Sequence, residues 1–175
     1  KLVKELENNS TKKGFSGEIK PTIFIIHEKM TKTHAMYRCY AAKIIDLRDD
    51  YNIIGVTYNE NNADEVSKKL FHKHYIADGK GITDRTSIVA SLLEKYKPYA
   101  IYYPSIGMDS CVISTASYRL AEKQLYSLGH PAPARSKVLD GVIAFDEEVR
   151  DCDPFAKNIP SISTAMKLLY EDEIK

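Results

Sequence analysis

This chain has almost no net charge, few cysteines and no long apolar run, and each shortage excludes something. Its 25 Lys and Arg are balanced by 24 Asp and Glu, a formal net charge of +1. The concentrated basic excess that marks a nucleic-acid-binding face is therefore missing. The longest apolar runs, residues 23–26 and 100–103, are far too short to cross a bilayer. No charged segment followed by an apolar one opens the chain. The 3 cysteines, Cys39, Cys111 and Cys152, are widely spaced and show neither CxxC nor Cys/His zinc spacing. Reduced thiols and a cytoplasmic setting are the simple expectation. GxGxxG and GxxxxGK[ST] are both absent, which argues against a dinucleotide enzyme or a P-loop NTPase. No Gly-x-Ser-x-Gly elbow occurs, although Ser105 and His130 supply the ingredients of a serine hydrolase.

What is present is an alternation of short apolar runs and amphipathic segments. The 175 residues suit one domain with a sizeable core. Residues 1–17 are polar and read as a linker or an edge. Residues 21–26 form a continuous apolar run, as expected for a parallel strand buried on both faces. Further strands are predicted at 52–58, 74–77, 99–103, 124–128 and 141–145. Helices are predicted at 34–50 with Thr33 as cap, at 64–72, from Asp84 to Tyr96, at 110–122, and at 162–173 after a cap at Ser161. The acidic stretch 146–160 reads as irregular. This order implies an α/β fold, a parallel sheet with helices on both faces, with the C-terminal loops of all strands on one edge. That edge would carry residues 27–34, 59–62, 78–81, 104–109 and 129–136. The domain itself is placed at 18–153, with 154–175 a C-terminal helix that could link to a further domain. Because the chain starts at Lys1 rather than Met, we expect a piece of a longer protein.

The chemistry-bearing residues on that edge each admit two readings. His34 stands where a loop becomes a helix, a place that favours anionic or strongly accepting ligands. It is equally a solvated helix start, with Arg38 pairing locally. His130 is held between Gly129 and Pro131, either to aim an imidazole at a site or to bond a neighbouring carbonyl. His72 and His74 suggest a metal only weakly, since residues two apart diverge. Asp109, Asp146, Glu147 and Glu148 show no recognisable pairing, and the many tyrosines read as core and rim.

Several segments taken together carry a family resemblance. Lys32-Thr33-His34-Ala35-Met36-Tyr37-Arg38 resembles the "THSMYR" element of the bacterial cytoplasmic adhesin-glucosylating N-glycosyltransferases, relatives of the O-GlcNAc transferases. Ile101-Tyr102-Tyr103-Pro104-Ser105-Ile106-Gly107-Met108 is similar to their "YYPSIGM". Arg119-Leu120-Ala121, Gln124 and Leu128-Gly129-His130-Pro131-Ala132 resemble "RLAPIQ…LGHPA", and Asn52-Ile53-Ile54-Gly55-Val56 resembles "LIGVG". Order and spacing agree from Pro21 to about Glu148.

The resemblance implies the N-terminal Rossmann-like half of a GT-B fold, with a C-terminal nucleotide-binding half as its missing partner. It implies an inverting, metal-independent transfer of a hexose from a UDP-sugar to Asn, Ser or Thr of a polypeptide. The UDP-sugar is then a substrate, and no cofactor is expected. His34 and His130 become the expected catalytic residues. Tyr37, Arg38, Ser105, Gly107, Met108 and Gly129 become the expected substrate-binding residues. This half would supply the acceptor side and have little activity alone. Pro133-Ala134-Arg135-Ser136 replaces the family's Thr-Thr-His-Ser, and the loop before His34 lacks the family's aromatic and second histidine. Acceptor choice is expected to differ there. Two alternatives stay open: a non-catalytic interaction module, and a transferase acting on a polysaccharide.

Overall fold

The structure is a computed structural model that describes residues 20–127, 129, 134, 136–144 and 167–170. The expected linker at 1–17, His130 and the irregular stretch at 146–160 lie outside the described residues.

Among the described residues, seven strands form one sheet: β1 (Thr22–Ile26), β2 (Asn52–Thr57), β3 (Lys73–Ile76), β4 (Ala100–Tyr103), β5 (Lys123–Ser127), β6 (Gly141–Ala144) and β7 (Lys167–Tyr170). Their order is β3-β2-β1-β4-β5-β6-β7. β1 to β6 are parallel, and β7 pairs antiparallel with β6. Among the described residues, four α-helices lie between the strands: α1 (Ala35–Leu47), α2 (Glu65–Lys68), α3 (Ile82–Tyr96) and α4 (Ser110–Thr115). A 3-10 turn spans Glu60–Asn62. The first six strands follow the doubly wound 3-2-1-4-5-6 order, so the fold is α/β and Rossmann-like.

The alternation of side chains along β1 divides the core in two. Phe24 and Ile26 pack with Ile54, Val56, Val89 and Leu93 of α3, and Val112 of α4. Ile23 and Ile25 pack with Ile53, Phe71, and Met36, Tyr40 and Ile44 of α1. Helices therefore cover both faces, which explains why the strands read as continuous apolar runs. β1 has β2 on one side and β4 on the other. The winding reverses between β1 and β4, and their C-terminal ends open on a crevice.

Four local expectations are corrected. The cap of α1 is His34, not Thr33, and the helix stops at Leu47. Asp84 is not a cap: α3 starts at Ile82 after Gly81, and Asp84 in its first turn accepts from the Lys80 N–H at 3.0 Å. The helix expected at 110–122 ends at Thr115. Beyond it, the buried Gln124 side chain captures the backbone instead. Its Oε1 accepts from Leu120 N at 2.5 Å and Ala121 N at 3.1 Å, and its Nε2 donates to the carbonyls of Tyr118 and Val138. Finally, residues 167–170, expected inside a C-terminal helix, form β7. The open edge of β6 offers them a hydrogen-bonded partner.

Candidate functional site

The crevice is built by the loops after β1, β4 and β5. The first begins with His27 and Glu28, which are buried although polar. The second is Pro104-Ser105-Ile106-Gly107-Met108-Asp109. The third enters through Gly129.

Gly129 shows how tightly these parts meet. A Cβ added there would lie 2.6 Å from Met36 Cε, 2.7 Å from the Pro104 carbonyl oxygen and 2.8 Å from Ser105 Cβ. Only a residue without a side chain allows this approach. The start of α1, the turn after β4 and the loop after β5 thus converge at one point. These are the segments that the sequence singled out.

His34 caps α1. Its backbone N–H donates to Thr31 O at 2.8 Å, and its Nδ1 accepts from Met36 N at 3.4 Å. An Nδ1 that accepts leaves the ring proton on Nε2. Partial burial lowers the pKa of His34, and the positive charges of Lys29 and Arg38 lower it further, while Glu28 acts in the opposite direction. The side chain is therefore a neutral imidazole with an Nε2–H donor. Tyr37 is half-buried against the α1-side core. Arg38 is exposed and donates to Thr33 O at 2.5 Å, which is the local pairing that the sequence allowed for.

Glu28 is the residue that sequence reasoning passed over as part of a loop. Its Oε1 accepts from the N–H groups of Gly107 (2.7 Å), Met108 (2.7 Å) and Asp109 (2.9 Å), and its Oε2 accepts from Ser105 Oγ. The available signal was position alone: an acidic residue just beyond the first strand's end. Asp109 in turn caps α4 through Cys111 N at 2.8 Å. Ser105 is buried, whereas Met108 is 75% exposed at the rim.

The other described histidines, His27, His72 and His74, make local contacts. His72 accepts from Ile53 N at 3.0 Å. His74 Nε2 lies 2.9 Å from His27 Nε2, and the His27 ring stacks on Phe71. Burial lowers His27 to about 3 and His74 to about 4, so both are neutral. Among the described residues no group of three or more His, Cys, Asp or Glu could hold a metal ion.

A doubly wound sheet with three loops closing on its switch point defines a Rossmann-like domain whose ligand edge lies beyond β1 and β4. No protein-family model matches the chain. It is, however, 27% identical over 140 residues to the UDP-glucose:protein N-β-glucosyltransferase of Actinobacillus pleuropneumoniae serotype 5b (strain L20). That match takes in 80% of this chain and 22% of the relative. The protein of the same name from serotype 7 (strain AP76) is 28% identical over 130 residues, 74% of this chain and 21% of its own length. The resemblance drawn from the motifs is thereby borne out. The chain spans about a fifth of the length of the curated relatives it matches.

Proposed function

We propose that this chain is the acceptor-side half of an inverting, metal-independent glycosyltransferase that moves a hexose from a UDP-sugar to a polypeptide side chain. Asn is the first acceptor to test, and Ser or Thr the next. The observation that carries this reading is the convergence at Gly129. Three of the four segments resembling the N-glycosyltransferases are far apart in sequence, yet they meet at the switch-point crevice. The similarity to proteins named UDP-glucose:protein N-β-glucosyltransferase supplies the donor and acceptor classes.

In such a transfer the acceptor attacks the anomeric carbon on the face opposite the departing UDP. The protein must align the two and stabilise the charge left on the diphosphate. His34, with its Nε2–H, serves as a hydrogen-bond donor to an oxygen of the sugar or acceptor. With Nδ1 held by the helix and Nε2 protonated, it is not placed to act as a general base. His130 orients the acceptor or the leaving diphosphate. Tyr37, Arg38, Gly107, Met108 and Gly129 shape the wall on which the acceptor lies, and Ser105 supports it from beneath. A second, nucleotide-binding half supplies most of the UDP contacts. Cys39 and Cys111 are free thiols, which suits a reducing cytoplasm. No helix among the described residues is long and apolar enough to cross a membrane.

The test is to incubate the protein at its full natural length with UDP-glucose and an Asn-x-Ser/Thr peptide, then map any added hexose by mass spectrometry. A hexose on the acceptor asparagine supports the reading. No transfer from any UDP-hexose to any peptide acceptor overturns it.

A further inference from the structure

We propose that Glu28 is a positioning residue that holds the crevice wall in its working shape by bonding the loop after β1 to the loop after β4. The proposal rests on the transferase reading for what the wall is used for, but its geometric basis is independent.

Three successive backbone N–H groups, those of Gly107, Met108 and Asp109, converge on one carboxylate oxygen at 2.7, 2.7 and 2.9 Å. Such a concave set of donors is what a strand-end loop uses to bind an anion from solution. Here the protein's own Glu28 fills it, and the second oxygen takes up the Ser105 hydroxyl. These donors are spent within the chain, so their use is structural. Glu28 is only 7% exposed and sits at the point where the sheet's winding reverses.

The consequences spread from that point. With its backbone pinned, the loop holds Gly107 at φ 149° and turns the Met108 side chain outward. Asp109 is held where its side chain caps α4. Ser105 and Pro104 provide the surface against which Gly129 packs, and Gly129 also abuts Met36, in the helix that His34 caps. Glu28 therefore sets the relative positions of His34, Met108 and Gly129 without facing the substrate itself.

The experiment compares Glu28→Ala, Glu28→Gln and Ser105→Ala in the protein at its full natural length. Glutamine keeps one oxygen for the three N–H groups, and its amide can donate to Ser105 Oγ. We expect Glu28→Ala to raise KM for the polypeptide acceptor about tenfold or more while KM for UDP-glucose stays within about twofold. Hydrogen exchange over residues 105–109 should rise in the same variant. Glu28→Gln should restore both to within about threefold of wild type, and Ser105→Ala should move them in the same direction by less. A merely structural loss would lower the active fraction and leave both KM values alone. Unchanged acceptor KM and unchanged exchange in folded Glu28→Ala overturn the proposal. If Glu28→Ala does not fold, an unaltered Ser105→Ala overturns it instead. If the wild-type protein transfers no sugar, the transferase reading falls by itself. Exchange then decides alone: release of 105–109 in Glu28→Ala with recovery in Glu28→Gln upholds the clamp, and no release refutes it.

Discussion

Lowering the pH from 7 to 5 should destabilise this domain steeply, and the largest cause is one pair of histidines, with the smaller shifts of His34 and His72 acting in the same direction. His27 and His74 lie with their Nε2 atoms 2.9 Å apart, a contact that needs a single proton between two neutral rings. Burial first, and the neighbouring ring second, lowers His27 to about 3. Burial first, and then Lys68, lowers His74 to about 4. In the unfolded chain both take up a proton near 6.5. Below that value the unfolded state binds more protons than the folded one, so stability falls as pH falls. The contribution is fully present above about 6.5 and is lost progressively down towards the folded values. At pH 5 the loss is about 2 kcal/mol for each histidine and about 4 kcal/mol for the pair, from about 1.4 kcal/mol per pH unit per group. Asp64, held low mainly by the backbone N–H of Ser67, titrates below this window. Urea denaturation at pH 7, 6 and 5 measures the slope. The variant His74→Phe should lower that slope by about 1.4 kcal/mol per pH unit. Equal slopes in the two proteins, or a wild-type stability that is flat from pH 7 to 5, would show that His27 and His74 are not held neutral by the fold.

Three further outcomes follow from close contacts. Gly55→Ala would place a Cβ 2.7 Å from ring carbons of Phe71 and His74; overpacking of this kind should cost about 1–3 kcal/mol by urea denaturation. Gln124→Leu keeps the volume but strands the N–H groups of Leu120 and Ala121 and the carbonyls of Tyr118 and Val138. We expect a loss of about 2–4 kcal/mol, read from the midpoint of unfolding. Gly129→Ala meets the Pro104 carbonyl oxygen, which cannot rotate away. In the full-length protein it should lower transfer to the polypeptide by about tenfold, in a steady-state assay, with a much smaller change in melting temperature.

The parallel strands were legible because both faces of the sheet are covered, so runs such as Ile23-Phe24-Ile25-Ile26 show no alternation. The candidate edge was legible too, since parallel strands put their C-terminal loops on one side. Spatial order was not. That β4 rather than β3 lies beside β1 depends on crossovers, which local pattern does not record. The helix errors share a cause, side chains competing with backbone hydrogen bonds. His34 replaced the better cap Thr33, and Gln124 captured the turn where α4 was expected to continue. The run Lys167-Leu168-Leu169-Tyr170 is short enough to suit either period, and pairing with β6 decided it. Glu28 was invisible for the same long-range reason, because its partners lie more than 70 residues away.

The most direct test of the central claim is the kcat of His34→Asn for hexose transfer from UDP-glucose to a polypeptide, in the protein at its full natural length. Asparagine retains the capping of α1 but removes the imidazole and its Nε2–H. The expected result is an unchanged fold by circular dichroism and a kcat lower by about 100-fold. A His34→Asn protein that transfers hexose within about twofold of wild type would leave His34 as a helix cap and nothing more.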